Sequence, residues 1–133
     1  MRTLILLIVL ITSFANYGQQ DTKISTMDFV QILDDNKEEA IYYFQNNWKV
    51  LRNMAIKKGY IHSYEFLEAP ISEGAPFQLV FITTYQNQEQ YKLREDHFAE
   101  LIKEKGKLRL MNDKEPDEFR KSLFTKERVR HWK

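Results

Sequence analysis

Cysteine is absent from the 133-residue chain, and glycine and proline are scarce, with four and three residues. The absence of cysteine excludes disulfide bonds and a lipid-modified cysteine, so the folded domain depends on its hydrophobic core alone. Neither sign of charge dominates, because 20 basic residues stand against 19 acidic ones. This balance gives no electrostatic case for nucleic acid or an acidic membrane surface as a partner.

A short hydrophobic run, Leu4 to Ile11, follows Arg2 and precedes small and polar residues. This order is typical of a secretory signal peptide. The run is too short to cross a bilayer as a helix, which takes about 20 residues. We predict a signal peptide over residues 1–18, with cleavage after Gly18 favoured over Ala15. The chain is then exported, periplasmic or secreted, and has no membrane span after cleavage; the lack of cysteine favours a bacterial periplasm.

The rest of the chain, residues 19–133, is predicted to form one α+β domain, with a core over about 27–105 and a C-terminal extension that contains an edge strand. Residues 19–26 are polar and are expected to be loose. Hydrophobic periodicity and β-branched or aromatic content predict the elements after them. In chain order they are a strand at Met27–Leu33, a helix at Lys37–Lys58, strands at 60–67 and Phe77–Tyr85, a helix that ends at Lys105, a helical turn from Pro116, and a strand at Phe124–Trp132.

Local signals predict where the helices begin and end. Asn36 with Glu39 three residues later has the spacing of a capping box. Asn87 is the expected cap of the second long helix, which is expected to stop at Gly106, and Gly59 is the expected left-handed residue that ends the first. Whether the segment 116–132 ends as helix or strand is left open, with a charged edge strand preferred.

The order strand, helix, strand, strand, helix, strand is that of the ferredoxin-like βαββαβ arrangement. It predicts a four-stranded antiparallel sheet with two helices on one face. Residues on both faces of the strand Phe77–Tyr85 are apolar. An identical sheet from a second chain is the simplest cover for the other face, so we predict a homodimer formed through the sheet.

Four stretches resemble the dimeric α/β-barrel superfamily, which includes small antibiotic-biosynthesis-type monooxygenases and stress-responsive barrel domains. They are the helix that carries Trp48, the aromatic strand after Gly59, the segment FQLVFITTYQNQEQY, and REDHFAELI with Phe98. The resemblance covers about Met27 to Lys105 and implies a dimer with a cavity beside each sheet. Haem-degrading members are expected to place a histidine one turn after the position of Phe98. This chain has Leu101 and Ile102 there, so haem is not expected, and we predict no cofactor.

The stretch GYIHSYEFLE provides the main candidates for a ligand pocket. As a strand it would place Tyr60, His62, Tyr64 and Phe66 on one face. Polar tips on an aromatic wall can orient a flat apolar ligand, and His62 can exchange a proton near neutral pH. The alternative is that this face is ordinary core or dimer interface. Three further candidates have the same two interpretations, cavity wall or plain structural residue: Trp48, Gln31 and Tyr85.

Two charged clusters have more ordinary interpretations. A metal site is one interpretation of the cluster formed by His97, Asp96 and Glu100. Because no second histidine joins this cluster, we expect a solvated helix face and no metal. The basic end of the chain, which includes Arg120 and Lys121, is expected to be a solvated strand, with a phosphate, lipid headgroup or protein partner as the alternative.

The sequence contains no glycine-rich phosphate loop, no nucleophile elbow and no zinc-protease motif. We therefore expect an exported domain that binds a small apolar or aromatic ligand. The alternatives are a cofactor-independent monooxygenase-like enzyme, with His62 or a tyrosine as acid or base, and an envelope module that binds another protein. No catalytic residue can be named from the sequence.

Overall fold

The computed structural model describes residues 20–133. It contains a four-stranded antiparallel sheet with helices packed against it. The predicted signal peptide lies outside the described residues. The strands are β1 (Gln20–Ile32), β2 (Ser63–Glu68), β3 (Leu79–Tyr85) and β4 (Arg120–Trp132). The helices are α1 (Lys37–Tyr43), a π-helical segment (Phe44–Trp48), α2 (Lys49–Lys57), α3 (Gln88–Lys92), α4 (Arg94–Lys105) and α5 (Pro116–Phe119).

The strands lie in the order β2-β3-β1-β4, and every neighbouring pair is antiparallel. Side chains of alternate residues point to opposite faces of a sheet. One face, here called the helix face, carries Ile24 and Val30 of β1 beside Tyr85 and Leu79 of β3. Both β1 residues and their β3 neighbours are buried among helix side chains such as Phe44. The core therefore lies between this face and the helices.

The opposite face, here called the open face, has no helix packed on it in the described part of the chain, since both core clusters lie on the helix face. Its middle is an apolar patch, because the register brings Phe29 beside Val80 and Phe124. Charged residues such as Glu65 and Lys126 lie towards its edges. Leu67 and Phe124 are each 45% exposed. The prediction that the strand Phe77–Tyr85 has apolar residues on both faces is confirmed, since every residue of β3 is buried or half-buried.

The first and last strands of the chain are longer than the sequence pattern predicts. β1 begins at Gln20, so the expected loose segment before Met27 is wrong. β4 begins at Arg120 and not at Phe124, directly after the one-turn helix that begins at Pro116. The edge position of β4 is confirmed. Phe119, just before β4, is fully buried, so the C-terminal segment belongs to the core.

The helix stops are confirmed, because Gly59 and Gly106 have φ angles of +70° and +81°. Asn87 caps α3 by accepting a hydrogen bond from the Gln90 amide, also as predicted. The capping box at Asn36 is wrong. Its side chain instead donates to the carbonyl oxygens of Leu33 and Glu118, and so ties the start of α1 to α5.

Two helices are less regular than predicted. The second long helix breaks at Leu93 between α3 and α4, and Ile102 in α4 is 56% exposed. The first long helix contains the π-helical segment in its middle. Such segments often lie at functional sites. Among the described residues, no helix is long and apolar enough to cross a membrane.

Candidate functional site

The second half of the predicted aromatic stripe belongs to the core. Tyr64 and Phe66 lie on the helix face of β2, and the Trp48 ring meets both of them edge-on, at centroid distances of 5.4 and 6.3 Å. The Tyr64 hydroxyl donates to Asn53 Oδ1 at 2.7 Å. These contacts make Tyr64 a packed wall residue whose polar tip already has a partner.

The first half of the stripe does not lie on the strand at all. β2 begins at Ser63, so the prediction that Tyr60 and His62 share a strand face with Tyr64 is wrong. Tyr60 stacks on His97 with ring centroids 3.6 Å apart, and its hydroxyl donates to Glu100. His62 is exposed and lies beside a depression on the open face, together with Ser25 and His131.

Tyr60 and Glu100 belong to an exposed polar cluster with Lys58. The Lys58 ammonium donates to Glu104 and to Glu100, and these two contacts raise the pKa of Lys58. The hydrogen bonds from Lys58 and from the Tyr60 hydroxyl lower the pKa of Glu100. The cluster pins the turn after Gly59 to α4. Within the described part of the chain, no group of three or more histidine, aspartate or glutamate residues is placed to hold a metal ion.

Gln31 and Tyr85 lie on opposite faces of the sheet. Gln31 is on the open face of β1, paired with Lys121 at the edge. Tyr85 is buried on the helix face against Tyr91, and its burial raises its pKa. Of the predicted candidates, only Trp48 and Tyr85 therefore border a space between the sheet and the helices.

Ser25 and His131 form the one serine–histidine contact among the described residues. Ser25 Oγ lies 2.7 Å from His131 Nε2 and 2.7 Å from Thr84 Oγ1. Ser25 is only 2% exposed, and no described carboxylate bonds to His131. The pair therefore ties the end of β4 to the sheet and lacks the open nucleophile and orienting acid of serine catalysis.

A cavity of about 310 Å³, here called the inner cavity, lies between the sheet and the helices. Three parts of the chain form its walls: the π-helical segment, the helix face of the sheet, and the residues around the end of α4. It is lined by Asp28, Val30, Tyr43, Phe44, Asn47, Trp48, Leu51, Phe81, Ile102, Lys105, Gly106, Leu108, Arg120 and Ser122.

Aromatic rings form the apolar wall of the inner cavity. The Phe81 ring lies 4.2 Å from Phe44 and 4.9 Å from Trp48, centroid to centroid. The π-helical segment brings Phe44, Asn47 and Trp48 to the same side. Rings held by one another in this way keep their orientation, so the wall is preformed.

Asn47 fixes the rim of the cavity, and sequence reasoning missed it. Its amide nitrogen donates to the carbonyl oxygens of Tyr43 at 2.9 Å and Arg109 at 2.8 Å. Its amide oxygen accepts from Lys105 Nζ at 2.7 Å and from the Arg109 amide at 2.8 Å. It is 3% exposed. The pair Asn46-Asn47 inside an amphipathic helix was the sequence signal that could have indicated this role. Asparagine is disfavoured inside helices unless its side chain forms hydrogen bonds, for example to the backbone.

Three charged side chains line the inner cavity: Asp28, Lys105 and Arg120. The Asp28 carboxylate accepts a hydrogen bond from Thr125 Oγ1 at 2.6 Å. Burial, with the nearby charge of Arg109, lowers the pKa of Lys105. Arg120 lies over the rings of Tyr43 and Phe44, at 5.3 and 6.0 Å from their centroids. Its Nε is buried and has no hydrogen-bond partner among the described residues.

A second, more open space of about 400 Å³, here called the outer groove, continues from the inner cavity and shares Asp28, Leu51 and Ile102 with it. Arg52 forms part of it, with its guanidinium between the rings of Trp48 and Phe98 at 4.4 and 4.3 Å. Arg52 Nε donates to Thr83 Oγ1, and burial lowers the pKa of this arginine to about 10.

A β-bulge supplies the far wall of the outer groove. The pairing of β1 with β4 shifts between Ser25 and Met27, and Arg128 there has a φ angle of +57°. A bulge redirects side chains at a sheet edge. Glu127 thereby reaches Arg94 of α4, with an N–O distance of 3.7 Å. This contact joins the edge strand to the helix layer across the groove.

The inner cavity and outer groove together can enclose a molecule with an apolar body and a polar end. They contain no paired nucleophile and base, and no histidine. The chain matches no protein-family model, no curated protein and no solved structure.

Proposed function

We propose that this chain is a small-molecule-binding domain whose inner cavity holds an aromatic or branched apolar ligand. The observation that carries the proposal is the preformed space of about 310 Å³ walled by Phe44, Trp48 and Phe81. Ligand sites are typically clefts of about 300–1,000 Å³, mostly apolar, with a few placed polar groups. The inner cavity has this size and this composition.

Binding is favoured over an oxygenase-type reaction by the position of the candidate acid or base. His62 lies on the other side of the sheet from the inner cavity, and Tyr64 already donates to Asn53. A general base must come within hydrogen-bond reach of the proton that it takes. Two other tyrosines border the space between the sheet and the helices: Tyr43 lines the inner cavity under the Arg120 guanidinium, and Tyr85 lines the outer groove, where burial raises its pKa and disfavours its use as a base.

We also propose a ferredoxin-like assignment and a homodimer for this domain. The assignment is supported by the main element order and by the antiparallel order β2-β3-β1-β4, with the π-helical segment, the break at Leu93 and α5 as departures from a minimal βαββαβ unit. The dimer is supported by the apolar open face, which a second copy of the same face would cover. Because the inner cavity lies on the helix face, dimerisation would leave it accessible.

Export remains part of the proposal, supported by the basic residue, hydrophobic run and small residues at the start of the sequence. A periplasmic or secreted binder of this kind would meet its ligand outside the cytoplasm. The competing envelope module would use the basic, exposed edge of β4, where Lys121, Lys126 and Arg130 are exposed. The depression beside Arg130 is larger, about 490 Å³, but it is more open and has no phenylalanine, tyrosine or tryptophan in its lining.

The ligand proposal is tested with N-phenyl-1-naphthylamine, a neutral aromatic probe whose absorption overlaps tryptophan emission. The chain has two tryptophans: Trp48 lines the inner cavity, and Trp132 is 73% exposed near the end of β4. In a Trp132→Phe variant, we expect saturable energy transfer from Trp48 to the bound probe. In the matched Trp48→Phe variant, transfer from Trp132 should be weak. Absence of saturable binding, or stronger transfer from Trp132, would contradict the proposal.

The dimer and export proposals are tested together by native mass spectrometry of the chain expressed with its N-terminal segment in a bacterial host. We expect a mass that begins at Gln19 and a complex of two subunits. Replacing the exposed Phe124 of the open face by glutamate should shift the protein to monomers, because it places a charge in the apolar interface. A wild-type monomer at micromolar concentration would contradict the dimer, and an uncleaved chain would contradict the signal peptide.

A further inference from the structure

Arg120 is the charged group of the inner cavity that lacks an acceptor. No hydrogen bond or ion pair of its side chain is found within the part of the chain that the structure describes. Arg120 as a whole is half-buried, and its Nε is the nitrogen that is shielded from solvent without a partner. A buried donor without an acceptor costs free energy, so such groups normally have a partner. The ring faces of Tyr43 and Phe44 stabilise the positive charge of the guanidinium. They provide no hydrogen-bond acceptor for its N–H groups, which point outward in the plane of the guanidinium.

The other two charges of the cavity are already engaged. Lys105 donates to Asn47 Oδ1 and to the carbonyl oxygen of Lys107. Asp28 accepts from Thr125. The group left to bind a ligand is therefore Arg120, at the end of a wall made of aromatic rings.

We propose that the ligand of the inner cavity is a monoanionic carboxylate on an aromatic or branched apolar body, with its carboxylate on the Arg120 guanidinium. This inference rests on the proposed function, because it specifies the ligand of the same cavity. The planar fork of arginine matches a carboxylate with two parallel hydrogen bonds. Such a pair would supply acceptors for the N–H groups that the protein leaves open.

The charge of the cavity favours a monoanion over a dianion such as a phosphate ester. Lys105 and Arg120 contribute two positive charges against one negative charge of Asp28, so one added negative charge balances the lining. A dianion would leave an excess negative charge beside Asp28 in a partly enclosed space, where charges interact strongly. The walls contain no further cation free of a protein partner to offset it.

The test compares 2-naphthoate with 2-naphthamide, which share the ring system and differ in charge. Binding of each is measured by isothermal titration calorimetry to the wild type, Arg120→Gln and Arg130→Gln. Arg130 is exposed on the same strand and contacts neither the inner cavity nor the outer groove, so its variant makes the same change of charge elsewhere.

We expect the wild type to bind naphthoate about 10- to 100-fold more tightly than naphthamide, the range of a charged hydrogen-bonded pair. In Arg120→Gln this preference should fall close to unity while the affinity for naphthamide is kept, which also shows that the variant is folded. Arg130→Gln should keep the wild-type preference.

Equal affinity for the two probes in the wild type would overturn the carboxylate inference and leave the apolar site standing. So would a preference that survives in Arg120→Gln. Failure of the proposed function is a different result, namely that N-phenyl-1-naphthylamine does not bind at the inner cavity.

Discussion

Asn47 attaches the rim of the inner cavity to the helix layer. It is a single buried amide that satisfies backbone groups of Tyr43 and Arg109 and also holds the Lys105 ammonium. In a π-helical distortion, some carbonyl oxygens lose the hydrogen bond that a backbone amide normally donates to them. A side-chain donor such as the Asn47 amide can replace that hydrogen bond. The neighbouring Asn46 makes a simpler contact, donating only to the Tyr42 carbonyl oxygen at 2.8 Å.

The two asparagines give a matched test at the scale of one residue. Asn47→Leu should lower the free energy of unfolding in urea by about 3 kcal/mol or more, because several buried backbone and charged groups lose their partner at once. Asn46→Leu should cost about 1 kcal/mol or less, since one partly buried carbonyl is affected. Equal losses in the two variants would show that Asn47 does not organise the rim.

Elements were predictable from sequence where their signals are local. The stops at Gly59 and Gly106 and the cap at Asn87 depend on the backbone within a few residues, and all three are confirmed. Trp48, predicted to be a cavity wall or a plain structural residue, packs against the core and lines the inner cavity. The amphipathic pattern gave no sign of the π-helical segment, because an inserted residue only shifts the phase of the stripe.

Elements that depend on distant contacts could not be predicted in the same way. Alternation suggested a strand from Tyr60, but Tyr60 stacks on His97 and bonds to Glu100, which takes it away from the strand. The early start of β4 was hidden because its charged, exposed residues do not alternate. Arg120 therefore looked like part of a solvated basic tail, although pairing with Ile32 carries it to the inner cavity.

At the scale of the whole molecule, the two faces of the sheet have separate roles in the proposed account. The helix face carries the core, the inner cavity and the outer groove, and the open face presents the apolar surface assigned to a second copy. The two proposals can fail independently, because Phe124→Glu alters the open face and leaves the lining of the inner cavity unchanged.

The central claim is that the inner cavity is the ligand site, and filling it tests that claim most directly. Ser122 lines the cavity from the helix face of β4, where it pairs with Val30, while Ser72 is exposed in the turn between β2 and β3. Ser122 is itself exposed, so Ser122→Phe adds a ring at the mouth of the cavity, and Ser72→Phe makes the same chemical change far from it. Equal urea midpoints would establish that both variants are folded.

The deciding measurement is the dissociation constant of N-phenyl-1-naphthylamine for these two variants in the Trp132→Phe background. The account predicts that Ser122→Phe weakens binding by about tenfold or more, a loss of about 1.4 kcal/mol, while Ser72→Phe leaves it unchanged. Unchanged affinity in a folded Ser122→Phe variant would contradict the assignment of the inner cavity as the ligand site.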